Sequence, residues 1–261
     1  MILRLLRTIF YSIAVSPFEK GYKQAQKGAY QEAIQHYNQS IQHFPKSART
    51  YNNRGVCYAA LKEFQKALDD YNKAIELDKK YADAYNNRGI VHQALNNNQQ
   101  ASDDYKKALE LNPKHAVAHF NLAVQASKAD DHKSAIEHYD AAIRWDKKYA
   151  QAYHFRGFSH NILRNKKSAL NDYNKAIKYN KKYAEAYNNR GIYWFQLAKY
   201  KKAIKDFSKA IKYNPSNHQA YYNRGICTYQ LGNKKAAKRD LDVASQQGDF
   251  RAIEFIKTYM L

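Results

Sequence analysis

Apolar and small residues fall along this chain in two alternating helical stripes. Between Arg49 and Lys79, the residues Tyr51, Arg54, Gly55 and Tyr58 share one face at helical spacing. Ala67, Tyr71 and Ala74 form a second stripe at i, i+4 and i+7. Gly55 and Ala67 are small enough to let two helix backbones approach closely. The pattern predicts a pair of helices with facing stripes, and it recurs. The segment K-K-Y-A-D-A-Y-N-N-R-G over 79–89 returns over 181–191 as K-K-Y-A-E-A-Y-N-N-R-G. Arg-Gly pairs stand at 54–55, 88–89, 156–157, 190–191 and 224–225, so every interval is one common period or twice that period. Leu122-Ala123 fills the skipped register and Lys20-Gly21 the one before the first pair. Seven copies without insertion predict one array whose core grows repeat by repeat.

The ends of the array carry their own signals. Ser16-Pro17-Phe18-Glu19 reads as a helix start: Ser accepts from the N3 amide, Pro suits the first turn, and Glu19 completes a capping box. Pro45, Pro113 and Pro215 share one register and stop the second helix, where other copies hold Lys79, Lys147 or Lys181. After Gln247-Gly248 a last helix is expected from about Asp249, carrying Ala252, Ile253, Phe255, Ile256, Tyr259 and Met260. It would cover the apolar face that a terminal repeat exposes. The chain thus divides into an opening segment over 1–15, seven repeats over 16–251 and a cap over 252–261. Three readings compete for the opening M-I-L-R-L-L-R-T-I-F-Y-S-I-A-V. It is too short to span a membrane. As an amphipathic helix, with Ile2, Leu5, Leu6, Ile9 and Ile13 on one face, it caps the first repeat or lies in a membrane interface. As a signal peptide it would be cleaved.

This arrangement resembles the tetratricopeptide repeat (TPR) family over residues 16–251. The third copy shows the pattern as Tyr85, Arg88-Gly89, His92, Ala101, Tyr105, Ala108 and Pro113, with Arg in five copies where the family has Leu. The resemblance implies an all-α, right-handed superhelical solenoid of seven helix-turn-helix repeats with a C-terminal capping helix. It also implies a non-enzymatic interaction module: an adaptor, scaffold or assembly factor that binds an extended or helical peptide on its concave face.

Comparing the copies with one another singles out two sets of residues. The Arg register travels with a fixed register in the second helix: Arg54 with Asp70, Arg88 with Asp104, Arg156 with Asp172, Arg190 with Asp206 and Arg224 with Asp240. Where the Arg is missing so is the Asp, since Leu122 goes with His138 and Lys20 with His36. An inter-helix contact explains this, the guanidinium fork matching a carboxylate, and so does common descent by duplication. The second set lies immediately before the Arg: Asn53, Asn87, Asn121, Asn189 and Asn223, interrupted by Phe155. Asn is a mediocre helix former. Three positions further on are Val56, Ile90, Val124, Phe158, Ile192 and Ile226. Spacing of i, i+3 sets each apolar residue beside its Asn. Stacking would then build a ladder of amides along an apolar strip, and a side-chain amide can bond a peptide unit through both donor and acceptor. Alternatively the ladder is solvated and merely inherited. The resemblance also raises the carboxylate clamp by which some family members hold chaperone tails. The positions concerned are Asn52, Asn86, Phe120, His154, Asn188 and Tyr222, with no Lys, which disfavours that clamp.

Charge changes the picture further. The net charge is +21; residues 1–130 hold 18 Lys/Arg against 12 Asp/Glu, and residues 131–261 hold 26 against 11. A Lys-rich solvated face explains this, as does an anionic partner: an acidic protein, RNA or a membrane surface. A basic helical-repeat protein that binds RNA or an anionic membrane is therefore the alternative function. A uniform ladder argues against RNA, whose repeat readers need base-selecting polar pairs that vary. No catalytic motif, metal-ligand cluster or cofactor fingerprint is present, so no enzyme, metal or cofactor is expected. His115 and His119 lack a third ligand. Cys57 and Cys227 share a register in repeats two and seven, too far apart for a disulfide in a stack, and fit a reduced compartment or small-residue packing. The expected location is cytoplasmic, with membrane contact through residues 1–15 as the open variant.

Overall fold

The computed structural model describes residues 16–260, so the readings of residues 1–15 lie outside the described residues. Those described form fifteen helices and no strand. The first helices of the repeats are Pro17–Gln26, Ala48–Ala60, Ala82–Ala94, Ala116–Lys128, Ala150–Ile162, Ala184–Gln196 and His218–Gln230. The second helices are Tyr30–His43, Phe64–Leu77, Asn98–Leu111, His132–Trp145, Lys166–Tyr179, Tyr200–Tyr213 and Lys234–Gln246, followed by a last helix, Phe250–Tyr259. The described residues form two compact units that divide between Gln125 and Ala126, inside the first helix of repeat four.

Within a repeat, the two helices meet where the glycine removes a side chain. A Cβ added to Gly55 would sit 2.7 Å from Cε1 of Tyr71, and one on Gly89 2.7 Å from Cε1 of Tyr105. The aromatic ring therefore occupies the space the glycine leaves, and Tyr71, Tyr105, Tyr139, Tyr173 and Phe207 are among the most buried side chains. Cys57 and Cys227 are buried and free in these clusters, and burial pushes their thiols up to about 11 and about 12. They pack as small apolar residues and stay protonated.

The turns explain how the period is kept. Between the two helices of a repeat, one residue takes the left-handed conformation: Gly28, Lys62, Asn96, Asp130, Arg164, Ala198 and Gly232, once in every repeat at the same register. Between repeats, an Asx turn ends the second helix. Asp78 accepts from the Lys80 amide at 2.9 Å, Asn112 from Lys114 at 3.1 Å, Asp146 from Lys148 at 2.9 Å and Asn180 from Lys182 at 3.0 Å. In repeats two to five the second helix therefore ends at the same register with or without proline, where the carboxylate or amide before that slot stops it; in repeat one Phe44 stands there, before Pro45. At the first helix, Ser16 accepts from the Glu19 amide at 3.2 Å, with Pro17 in the first turn.

The last helix covers repeat seven. Ala252 joins Ile226, Leu241 and Ala244 in one cluster, with Phe255, Ile256 and Met260 packed against it. Asp249 caps this helix by accepting from the Arg251 amide at 3.1 Å, and its carboxylate is also bonded by His218 at 3.1 Å and by the Arg251 guanidinium. Burial alone would raise that carboxyl; these hydrogen bonds outweigh it and hold the group below its ordinary value.

Candidate functional site

The first helices carry two chemically distinct sets of side chains. The Arg register is a three-way tie. Arg54 donates from Nε to Asp70 at 2.8 Å and from a terminal nitrogen to its other oxygen at 2.6 Å, and Arg88 binds Asp104 in the same fork at 2.9 and 2.6 Å. Arg156–Asp172, Arg190–Asp206 and Arg224–Asp240 repeat it at 2.6 to 2.8 Å. The remaining guanidinium nitrogen reaches back to the second helix of the preceding repeat. Arg54 donates to Asn38 at 2.6 Å, Arg88 to Asn72 at 2.7 Å, Arg190 to Asn174 at 2.7 Å, Arg224 to Ser208 at 3.1 Å, and Arg156 bonds Asp140. Each Arg thus pins three helices. The third partner was visible in the sequence, as far before the Arg as the Asp lies after it: an acceptor stands there wherever an Arg follows, and Lys106 stands there before Leu122. Burial pushes the Asp70 carboxyl up against the pull of Arg54, so the fork is better evidence of a fixed geometry than of net stability.

The ladder is a hydrogen-bonded chain. Asn87 donates to Asn52 of the preceding repeat at 3.0 Å, and Asn121 donates to Asn86 at 3.0 Å. Asn52 and Asn86 in turn donate to their neighbours Asn53 and Asn87, each at 3.3 Å. In the second unit, the Asn189 amide donates to Nε2 of His154 at 2.9 Å, and Nδ1 of His154 meets the Tyr183 hydroxyl at 3.0 Å. Nε2 is therefore the acceptor nitrogen and Nδ1 carries the proton toward Tyr183. Burial without a charge partner drops this imidazole to about 4. In the next repeat the run breaks, and the Oδ1 of buried Asn188 has no hydrogen-bond partner among the described residues.

The alternative of a merely solvated ladder does not hold for Asn87, Asn121 and Asn189. Asn87, Asn121 and Asn189 join successive repeats through a buried register (Asn52, Asn86 and His154) that the sequence pattern brought forward only as a clamp. Asn53, Asn87, Asn121, Asn189 and Asn223 are half-buried, so they also face outward. Each amide offers two donor hydrogens and two acceptor lone pairs. Asn87 uses one of each within the chain, and one of each remains.

The apolar strip is uneven. Val56 and Ile90 are 41% and 42% exposed, and Phe158 is comparably open. Val124 and Ile192 are half-buried. Ile226 departs from the expected strip: it is 8% exposed because the last helix packs over it. Phe155, which interrupts the ladder, stacks on Tyr139 with ring centroids 6.4 Å apart. At the N-terminal end, Asn53 and Val56 line a cleft of about 250 Å³ with Tyr22, Gln26, Tyr30 and Tyr37. His115 bonds Asp83 at 3.0 Å and accepts the Ala118 amide, a helix-capping role. Among the described residues no group of three or more His, Cys, Asp or Glu is placed to hold a metal.

Paired helices on a strict period, tied by recurring Arg forks and an aromatic-on-glycine core, define a helical-repeat protein. The family profile described as tetratricopeptide repeat matches residues 48–81, 82–115 and 184–217, and related profiles match 21–62, 104–137 and 150–183. The chain belongs to the tetratricopeptide repeat family. Among solved structures it is similar to a tetratricopeptide repeat protein from Parabacteroides merdae, at 20% identity and a TM-score of 0.62, covering 94% of this chain and 98% of that one. It is similar to pilF of Pseudomonas aeruginosa at 16% identity and a TM-score of 0.74, covering 80% and 96%. It also resembles YrrB, described as a TPR protein with an unusual peptide-binding site, at 23% identity and a TM-score of 0.54, covering 70% and 95%. At these identities the likeness is one of fold. No curated protein matches the chain in sequence.

Proposed function

We propose that this chain is a non-enzymatic adaptor or scaffold that binds an extended or helical peptide segment along its first helices. Membership of the family supports a protein-interaction module, and the solved relative with a peptide-binding site is consistent with it. The observation that carries the finer reading is the exposure of Val56 and Ile90 beside amides that keep a spare donor and acceptor. Exposed aliphatic side chains in register on successive repeats offer contact area, and the spare amide groups orient a peptide backbone without reading its sequence. Asn53, Asn87 and Asn121 with Val56, Ile90 and Val124 serve the first unit; Asn189 and Asn223 with Phe158 and Ile192 serve the second. Acidic flanks on the partner would raise the association rate through the basic C-terminal half.

The strip gives the cleaner test, because the amides also hold repeats together. Peptides selected from a random library on the full chain are titrated against wild type and Val56→Ser/Ile90→Ser. Losing two aliphatic contacts should weaken binding by about ten- to a hundredfold with an unchanged helical spectrum. Unchanged affinity would place the binding surface elsewhere.

A further inference from the structure

The second helices of the repeats change charge along the chain while keeping their registers. In repeats two and three the outward cations are balanced: Lys73 pairs with Glu76 and Lys107 with Glu110, each at 2.8 Å. The register of Glu76 and Glu110 holds Lys178 in repeat five and Lys212 in repeat six. The register of Asp69 and Asp103 becomes Asn171, Lys205 and Arg239, and that of Gln65 and Gln99 becomes Lys167, Lys201 and Lys235. Steps of i, i+4 and i+11 set these registers on one helix face, and all of these basic residues are exposed. The turns that feed this face are Leu163-Arg164-Asn165-Lys166-Lys167, Leu197-Ala198-Lys199-Tyr200-Lys201-Lys202 and Leu231-Gly232-Asn233-Lys234-Lys235, without one acid. Asp242, the acid on the repeat-seven helix face, is taken by Lys238 at 3.0 Å.

Helix electrostatics disfavour this arrangement. Lysines in the first turn of a helix oppose its macrodipole, and Lys201, Lys205 and Lys209 at i, i+4 repel one another. The equivalent registers of repeats two and three show that a balanced face fits the same backbone. Exposed apolar side chains sit among the cations at the turn edge: Ile162, Phe195, Leu197 and Leu231. The Trp194 ring lies 4.9 Å from Nζ of Lys202 and 5.7 Å from that of Lys199. A single-stranded nucleic acid is held by open aromatic faces, whereas Trp194 is covered by lysines and three of the four exposed apolar residues are aliphatic. Aliphatic groups flanked by lysines suit the headgroup boundary of a bilayer, where stems and side chains enter the acyl edge and ammonium groups meet phosphates.

We propose that the turn edge and outward second-helix face of repeats five to seven form a docking surface for an anionic phospholipid bilayer, separate from the peptide-binding face of the first helices. The test uses the full chain with vesicles of phosphatidylcholine alone and of phosphatidylcholine mixed with phosphatidylglycerol. Wild type is compared with Lys201→Glu/Lys202→Glu/Lys234→Glu/Lys235→Glu and with Leu197→Ser/Leu231→Ser. The reversals put acids where a helix N-terminus favours them, so the fold should persist by circular dichroism. Wild type should bind the anionic vesicles alone and be released by salt. The charge-reversed variant should bind at least about a hundredfold more weakly, and the serine variant about tenfold more weakly. Absence of wild-type binding overturns the proposal. So does undiminished binding by the charge-reversed variant, which would move the contact to another part of the chain. Salt-dependent binding of single-stranded RNA that the reversal abolishes, with no vesicle binding, would assign the surface to nucleic acid instead.

Discussion

Single residues set both the tightness of each repeat and its response to pH. Ala198 is the one alanine among the left-handed turn residues, at φ 54°. A Cβ there costs about 1 kcal/mol, so Ala198→Gly should stabilise the protein by a comparable amount, read as a higher urea midpoint, and Ala198→Val should lower the midpoint. Gly191 poses the opposite case, since a Cβ would lie 2.6 Å from Cε1 of Phe207. Gly191→Ala should cost about 1–3 kcal/mol, and pairing it with Phe207→Leu, which gives the smaller side chain that faces Gly225 as Leu241, should restore part of the loss. His154 contributes to the acid sensitivity, alongside the half-buried imidazoles of His92 and His160, which burial also lowers. The His154 imidazole sits at about 4 when folded against an ordinary 6.5, so between those values the unfolded chain binds more protons and stability falls as pH drops. Protonating Nε2 also removes the acceptor for Asn189. The loss is on the order of 3 kcal/mol. His154→Asn, the residue of repeats two, three and six, should abolish that share of the acid loss when urea midpoints are compared from neutral pH down to pH 4.

At the scale of helices, the Arg forks and the amide chain decide which elements move together. Arg88 holds the two helices of repeat three to the second helix of repeat two. Arg88→Leu strands Asp104, while Arg88→Leu with Asp104→His imitates repeat four and should be less damaging. The expected coupling in that double-mutant cycle is about 1 kcal/mol, and strictly additive effects would remove the fork from the account. Asn87→Ala carries a stability cost that helix propensity alone would not foresee. Alanine is the better helix former, yet the change leaves the buried Oδ1 of Asn52 without the Asn87 donor. A loss of about 1–3 kcal/mol is expected, and binding measurements on ladder variants must be made where the chain is still folded.

For the molecule as a whole, the repeats depend on their neighbours, and the last one depends on its cap. Ending the chain after Gly248 would uncover Ile226 and Leu241 and remove Asp249 from His218. Hydrogen exchange in His218–Gln246 should then accelerate by tenfold or more, equivalent to upward of about 1.4 kcal/mol, while repeats two and three keep their protection. Exchange that rises equally across the chain would mean the array unfolds as a single block. No helix among the described residues is long and apolar enough to cross a membrane.

The period and composition of the sequence determined the number of repeats, the helix pairs and the matching of the Arg and Asp registers, because each recurs at a fixed spacing and short-range periodicity is set by backbone geometry. The pattern set Gly55 with Ala67, and packing instead put the Tyr71 ring in the space beside Gly55. The capping helix was legible too, as an apolar run placed where a stack must end. Tertiary structure decided what each register faces. Asn87 and Asn52 belong to successive repeats and meet only once those repeats stack, and Ile226 shares the register of Ile90 yet is closed off because a helix lies over it. The third arm of the Arg tie was written in Asn38, Asn72, Asp140, Asn174 and Ser208, but its meaning needed the preceding repeat to come within reach. Burial and hydrogen-bond partners between repeats depend on the stacking distance and angle, which a repeat's own sequence does not contain.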